Sequence, residues 1–317
     1  MLGDTTVIGG KVYCVGEVTG DVSHGDQNVN YYDPSQDKWT SLPPLPVKSF
    51  GLGQVNGELV AVGGVKKIEG NPFTCESSKV YTYNEQTKTW KQTIPPMPTA
   101  RYLPGVLSLQ SALVVAGGAY LKEKERGFAD FFKGPFSGID LQHVEFHQKV
   151  EIFKPDTLQW YSADPLPVPC QVISLKDIDG TCYALGGYRI LERLGTTEIK
   201  YFNQAFYASV DDLLGNAVPA NQTTHSGSSD TQSTWKTLPN TPTYGTAAAE
   251  LAGNLLAIGY VKNTLEIYMH IASTDSWAYV GALPSQKYNF TVANLSPPEV
   301  LVITGNSVYK GTPMLFK

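Results

Sequence analysis

Short apolar runs closed by glycine recur along the chain: ELVAVGG ending at Gly63-Gly64, ALVVAGG at Gly117-Gly118, TCYALGG at Gly186-Gly187 and NLLAIGY at Gly259-Tyr260. Each run is continuous where alternation would signal one wet face, so each predicts a strand covered on both sides. A second pattern places an aromatic residue seven positions before a tryptophan, with a polar turn between them: VNYYDPSQDKW, VYTYNEQTKTW and VEIFKPDTLQW. These segments predict hairpins. Tryptophans stand at 39, 90, 160, 235 and 277, and strand-ending glycines at 16, 63, 117, 186, 259 and 305. From each tryptophan to the next such glycine the interval is 24 to 28 residues, whereas from glycine to the next tryptophan it runs from 18 to 49. Half of the unit is a frame of fixed length, and the other half takes the insertions.

Four strands and about fifty residues per unit, with glycine and tryptophan at set offsets, describe propeller blades, each sheet covered by its two neighbours. The six glycines count six blades, at about 1–46, 47–97, 98–167, 168–241, 242–284 and 285–317. The double glycines, followed by Tyr83, Phe153 and the tryptophan series, resemble kelch repeats over essentially the whole chain. The resemblance implies an all-β fold: a six-bladed kelch β-propeller with a four-stranded antiparallel sheet per blade, in one domain spanning 1–317. Gly16-Glu17 and Gly259-Tyr260 depart from the double glycine, and the last unit has no tryptophan. Two closures of the ring stay open, one through the tail TPMLFK and one through a strand preceding Met1. Kelch arrays usually accompany other domains, so linkage to further domains is expected.

Composition narrows the partners. With 24 basic and 29 acidic residues and a formal charge of -5, the chain lacks the basic excess of a nucleic-acid binder. Cys14, Cys75, Cys170 and Cys182 are scattered with no C-x-x-C pair, which suits a reducing compartment. The N-terminus lacks the pattern of a secretory signal, and no apolar stretch is long enough to span a bilayer, so a cytoplasmic protein with no membrane partner is expected.

The insertions are where function is sought. The segment 119–148 is dense in aromatics: Tyr120, Phe128, Phe131, Phe132, Phe136 and Phe146. It predicts either an exposed aromatic anchor or a loop packed on itself. His143, Glu145 and His147 alternate within it, but the start of a strand explains them as well as a metal site does. The segment YRILERLGTTEIKYFNQ, after Gly187, predicts a short amphipathic turn with paired charges, and 211–233 predicts a small, polar, mobile loop. His270 holds the position of Tyr32, Tyr83 and Phe153 before its tryptophan and is expected to pack.

In an antiparallel meander, the connections after the second strand and those between blades emerge at one end. That face collects Lys48, Phe50, Arg101, Tyr102, Tyr120, Phe128, Phe131, Phe132, Tyr188, Arg189, Arg193, Tyr244, Lys287, Tyr288 and Asn289 as partner-binding residues. In kelch proteins peptide segments of partners are commonly bound there, and Arg101 stands where a kelch linker often has arginine. The resemblance thus gives Arg101 a partner carboxylate, and an inter-blade salt bridge is the competing assignment. The function expected is a protein-interaction module, an adaptor or substrate-recognition domain, with no cofactor, no metal and no catalytic residue. The alternative is a kelch enzyme acting on a sugar or other small molecule at the axis, although Gly-x-Ser-x-Gly, His-Glu-x-x-His and phosphate-loop motifs are absent.

Overall fold

The computed structural model describes residues 5–15, 28–67, 74–121, 144–193, 196–220, 233–283, 290–295, 299–304 and 307–311. For residues 67, 74, 75, 121, 190–193, 196 and 197 it describes the backbone alone. The chain forms a six-bladed β-propeller of antiparallel sheets. Blades 1, 2, 4 and 5 have four strands, blade 3 carries a fifth, and blade 6 shows three among the described residues.

The apolar runs become second strands buried on both faces, as their composition requires. In blade 3 (second strand Leu113–Ala116), Leu113 and Val115 join a cluster with Val60 and Val62 of blade 2. Val114 and Ala116 point the other way, into a cluster with Cys182, Ala184 and Phe206 of blade 4. Successive side chains on a strand face opposite sides, so one strand contributes to two seams. The three double glycines close these strands as expected, but blade 5 differs: its second strand, Asn254–Val261, runs on through Gly259 and Tyr260.

The aromatic-to-tryptophan spacing is the register of the outer hairpin. Tyr32 and Trp39, Tyr83 and Trp90, Phe153 and Trp160, and His270 and Trp277 are directly paired, with ring centroids 5.1 to 5.4 Å apart. His270 therefore packs, and its Nε2 lies 3.0 Å from Asp275 Oδ1. Four indole N–H groups donate to a carbonyl of the linker leading into their own blade: Trp90 to Pro43, Trp160 to Pro95, Trp235 to Asp164 and Trp277 to Pro239, at 2.8 to 3.1 Å. The tryptophans are thus wedges between blades.

The ring closes by packing of blade 1 on blade 6. Val12, Cys14 and Tyr32 share a cluster with Ala293, Leu301 and Ile303, and Thr5 Oγ1 donates to Val292 O at 2.6 Å. Of the two candidate closing strands, the tail 312–317 is outside the described residues and the other would precede Met1. Blade 4 also reaches back to blade 3, which corrects the expectation of a mobile loop for the first part of 211–233. Ser209 caps a helix, Val210–Gly215, by accepting from Asp212 N, and Leu213 of that helix is buried. Val218–Pro219 then pairs with the outer strand of blade 3, Gln159–Ala163.

Candidate functional site

The face made by the inter-blade linkers is built around the double glycines. Gly117 and Gly118 have φ of +65° and +93°, in the region where only glycine is at ease. A Cβ on Gly117 would stand 2.5 Å from Cys170 O in the linker that follows, and one on Gly118 would stand 3.0 Å from Tyr102 O in the linker that precedes. The pair lets a strand end between two linkers with no side chain in the way. Beyond each pair the chain continues as a two-stranded ribbon: Val65–Lys67 with Thr74–Glu76, Ala119–Leu121 with Val144–Phe146, and Tyr188–Arg193 with Thr196–Tyr201. The third ribbon replaces the amphipathic turn expected after Gly187. Each is tied to a linker by one bridge, Lys48 to Val65, Tyr102 to Ala119 and Gln171 to Tyr188.

Several residues expected to meet a partner are interior instead. Arg101 has 0% exposure, and its Nη2 lies 2.8 Å from Glu151 Oε2, itself buried. Its Nη1 donates to Gly117 O at 2.8 Å and to Lys149 O at 3.0 Å. Thr99 Oγ1 occupies the other carboxylate oxygen at 2.5 Å. Burial pulls the guanidinium below its ordinary pKa while Glu151 pulls it back up. This corrects the assignment by resemblance: Arg101 braces the start of blade 3 against that blade's own strands, where the competing assignment was an inter-blade salt bridge, and its charge is already matched by Glu151. Tyr102 and Phe50 are corrected likewise. Tyr102 is buried beneath the ribbon of blade 3 with Val65 and Ala119, and Phe50 is buried at the seam of blades 1 and 2 with Leu52 and Tyr81.

The other expected residues divide. Lys48 is exposed. Tyr120 donates to Glu145 Oε2 at 2.6 Å and stacks on His147 with centroids 4.3 Å apart. Burial, then the charges of Arg101 and Lys149, push the His147 pKa down to about 4. Arg189 Nε donates to Pro169 O at 2.5 Å, and the guanidinium lies over the Phe202 ring. Tyr188 is buried but lines the axial cavity, and Tyr244 stands 51% exposed at its mouth. The side chain of Arg193, together with Phe128, Phe131, Phe132, Lys287, Tyr288 and Asn289, lies outside the described residues, as does His143. No three of His, Cys, Asp and Glu among the described residues come together as a metal site.

What the sequence did not show is the cavity itself. About 710 Å³ in volume, it follows the inner strands and opens on the linker face beside blades 4, 5 and 6. Tyr201, Tyr244, Tyr260 and Phe290 surround the mouth, with Lys262 among them and Lys176 farther in. Tyr201 is 42% exposed. No aspartate or glutamate is among the described lining residues. The mouth is open here because blade 5 has no ribbon: its second and third strands, Asn254–Val261 and Thr264–Ile271, are joined by a tight turn. Tyr260, standing where other blades have their second glycine, turns into the space. That departure from the double glycine was the signal in the sequence.

Fold and site together define a β-propeller with a tyrosine-rimmed axial mouth on its linker face. No protein-family model matches the chain. Kelch-like protein 40 of Xenopus tropicalis is 29% identical over 187 residues, 59% of this chain and 25% of that protein. Beta-scruin of Limulus polyphemus is 31% identical over 99 residues, 30% of this chain and 11% of scruin. The chain thus spans about a quarter or less of the length of these curated relatives. The solved structure of YjhT superposes over 95% of this chain and 89% of its own with a TM-score of 0.64 at 16% identity, a likeness of fold. The sequence likeness to these kelch proteins, together with the six-bladed fold, supports a kelch-repeat propeller.

Proposed function

We propose that this propeller is a protein-interaction module that binds a peptide segment of a partner at the axial mouth of its linker face. The observation that carries the reading is the cluster of tyrosines there: Tyr244 and Tyr201, 51% and 42% exposed, stand at the opening of a cavity of about 710 Å³. Tyrosine supplies a large contact area, low ordering cost and a polar tip, the properties that make it frequent in energetically dominant interface positions. The inter-blade frame holds these side chains on strand ends, so the surface is organised before a partner arrives. Free, buried Cys14, Cys170 and Cys182 fit a reducing compartment, and the acidic net charge argues against nucleic acid. No helix among the described residues is long and apolar enough to cross a membrane. The short span relative to kelch-like protein 40 supports linkage to further domains in the full-length protein.

The test is affinity capture with the wild-type chain and with Tyr201→Ser/Tyr244→Ser, both checked for equal melting temperature. Loss of the same partners from the variant is the expected result, and unchanged recovery would refute the reading. A second reading, a small-molecule or sugar enzyme at the axis, draws on the cavity volume, which falls in the range of small-ligand sites. Retained small-ligand binding with no captured partner would favour it.

A further inference from the structure

Around the channel, seams between inner strands are stitched by uncharged side chains. Ser108 Oγ accepts from Gln54 N at 2.7 Å, Ser174 Oγ from Ala248 N at 2.9 Å, and Asn294 Oδ1 from Glu250 N at 3.0 Å. Lys176 lines the same channel and does none of this work. It lies midway along the inner strand of blade 4, Ser174–Ile178. Ser174 and Ile178, two residues to either side, both meet blade 5: Ser174 through its bond to Ala248, and Ile178 through a cluster with Ala248, Leu255 and Ala257. Strand alternation puts Lys176 on that same side, at a seam that opens on the cavity.

The ammonium is half-buried and has neither an ion pair nor a hydrogen bond among the described residues. Burial lowers its pKa, and the charges of Glu250 and Asp177 offset this only in part. An amine kept out of water without a partner is costly unless something pairs with it. The lining adds Lys262 at the mouth and no described carboxylate, in a chain whose acidic residues outnumber its basic ones by 29 to 24. Charge complementarity therefore points to an anion, and the aromatic mouth to an apolar or aromatic body attached to it.

We propose that the axial cavity receives a carboxylate-bearing ligand whose carboxylate is held by Lys176, with its body against Tyr201, Tyr244, Tyr260 and Phe290. This rests on the linker-face reading above and names the chemistry that the mouth selects. An acidic side chain of a partner segment and a free carboxylic acid present the same group.

The test is a ligand-detected NMR titration of the full chain with benzoate and with its uncharged isostere benzamide. Wild type should bind benzoate at least tenfold more tightly than benzamide, Lys176→Arg should keep that preference, and Lys176→Met should bring the two within twofold. Equal binding of the two probes to wild type, binding of neither, or a preference that survives in Lys176→Met would overturn the proposal. If Lys176→Met does not fold, Lys176→Gln takes its place under the same criteria. The pair acetyl-Tyr-Glu-amide and acetyl-Tyr-Gln-amide separates the sources. A larger preference in this pair assigns the carboxylate to a peptide side chain, and a larger one with benzoate assigns it to a free acid. Capture through Tyr201 and Tyr244 does not depend on charge, so partner loss there beside equal binding of benzoate and benzamide here overturns the carboxylate proposal alone.

Discussion

Replacing Arg101 by alanine should unfold the chain far more readily, because the guanidinium is a structural charge. Its side chain has 0% exposure, and it faces Glu151 at 2.8 Å while also donating to Gly117 O and Lys149 O. Removing one member of a buried pair leaves the other charged and desolvated, a loss of about 3–5 kcal/mol. The two orphaned carbonyls belong to the same loss, since they too lie where water does not reach freely. The cost should be seen in equilibrium urea denaturation as a lower midpoint with an unchanged slope. A double-mutant cycle apportions it: Arg101→Met/Glu151→Met, which removes both charges, should be more stable than Arg101→Met alone, because no buried charge is left unpaired. If Arg101→Ala unfolds at the wild-type midpoint, or if the double variant is the less stable, the guanidinium is solvated in solution and Arg101 returns as a candidate for a partner carboxylate.

Trp160→Ala should cost about 3–5 kcal/mol, as for other buried large aromatics, in the same assay. Trp160→Phe should lose only about 1 kcal/mol with the hydrogen bond to Pro95 O, which separates ring packing from the indole N–H. His147 has a folded pKa of about 4, below its unfolded value of about 6.5. The unfolded chain therefore takes up the proton first, and the stability His147 confers, complete above pH 6.5, should be lost as pH falls through 4. Stability measured against pH should accordingly fall more steeply for wild type than for His147→Gln across that window; parallel curves would contradict it. Tyr201→Ser/Tyr244→Ser should lie within about 0.5 kcal/mol of wild type in stability, since both side chains are exposed.

The repeat was legible because its physics is local. An aromatic seven residues before a tryptophan is the register of one hairpin, and a run such as ALVVAGG states its burial and its end in seven residues. The site was less legible because it depends on distant pairings. Arg101 and Glu151 are fifty positions apart, and only the strand register of blade 3 brings them together. The ribbon of Tyr188–Arg193 with Thr196–Tyr201 lacks strict alternation, so its charges suggested a turn. Lys176 sits in a strand whose composition does not reveal which edge borders the channel. Tyr244 was found by topology alone, and Tyr260 was visible only as a break in the double-glycine pattern.

On the proposed reading, partners engage the tyrosine-rimmed mouth and not the blade edges. Site-specific photocrosslinking tests it directly, with p-benzoyl-phenylalanine placed at Tyr244 in one chain and at Tyr279, which is 58% exposed on the outer strand of blade 5, in another. Partner adducts are expected from position 244 and none from 279. Adducts from 279 with none from 244 would contradict it.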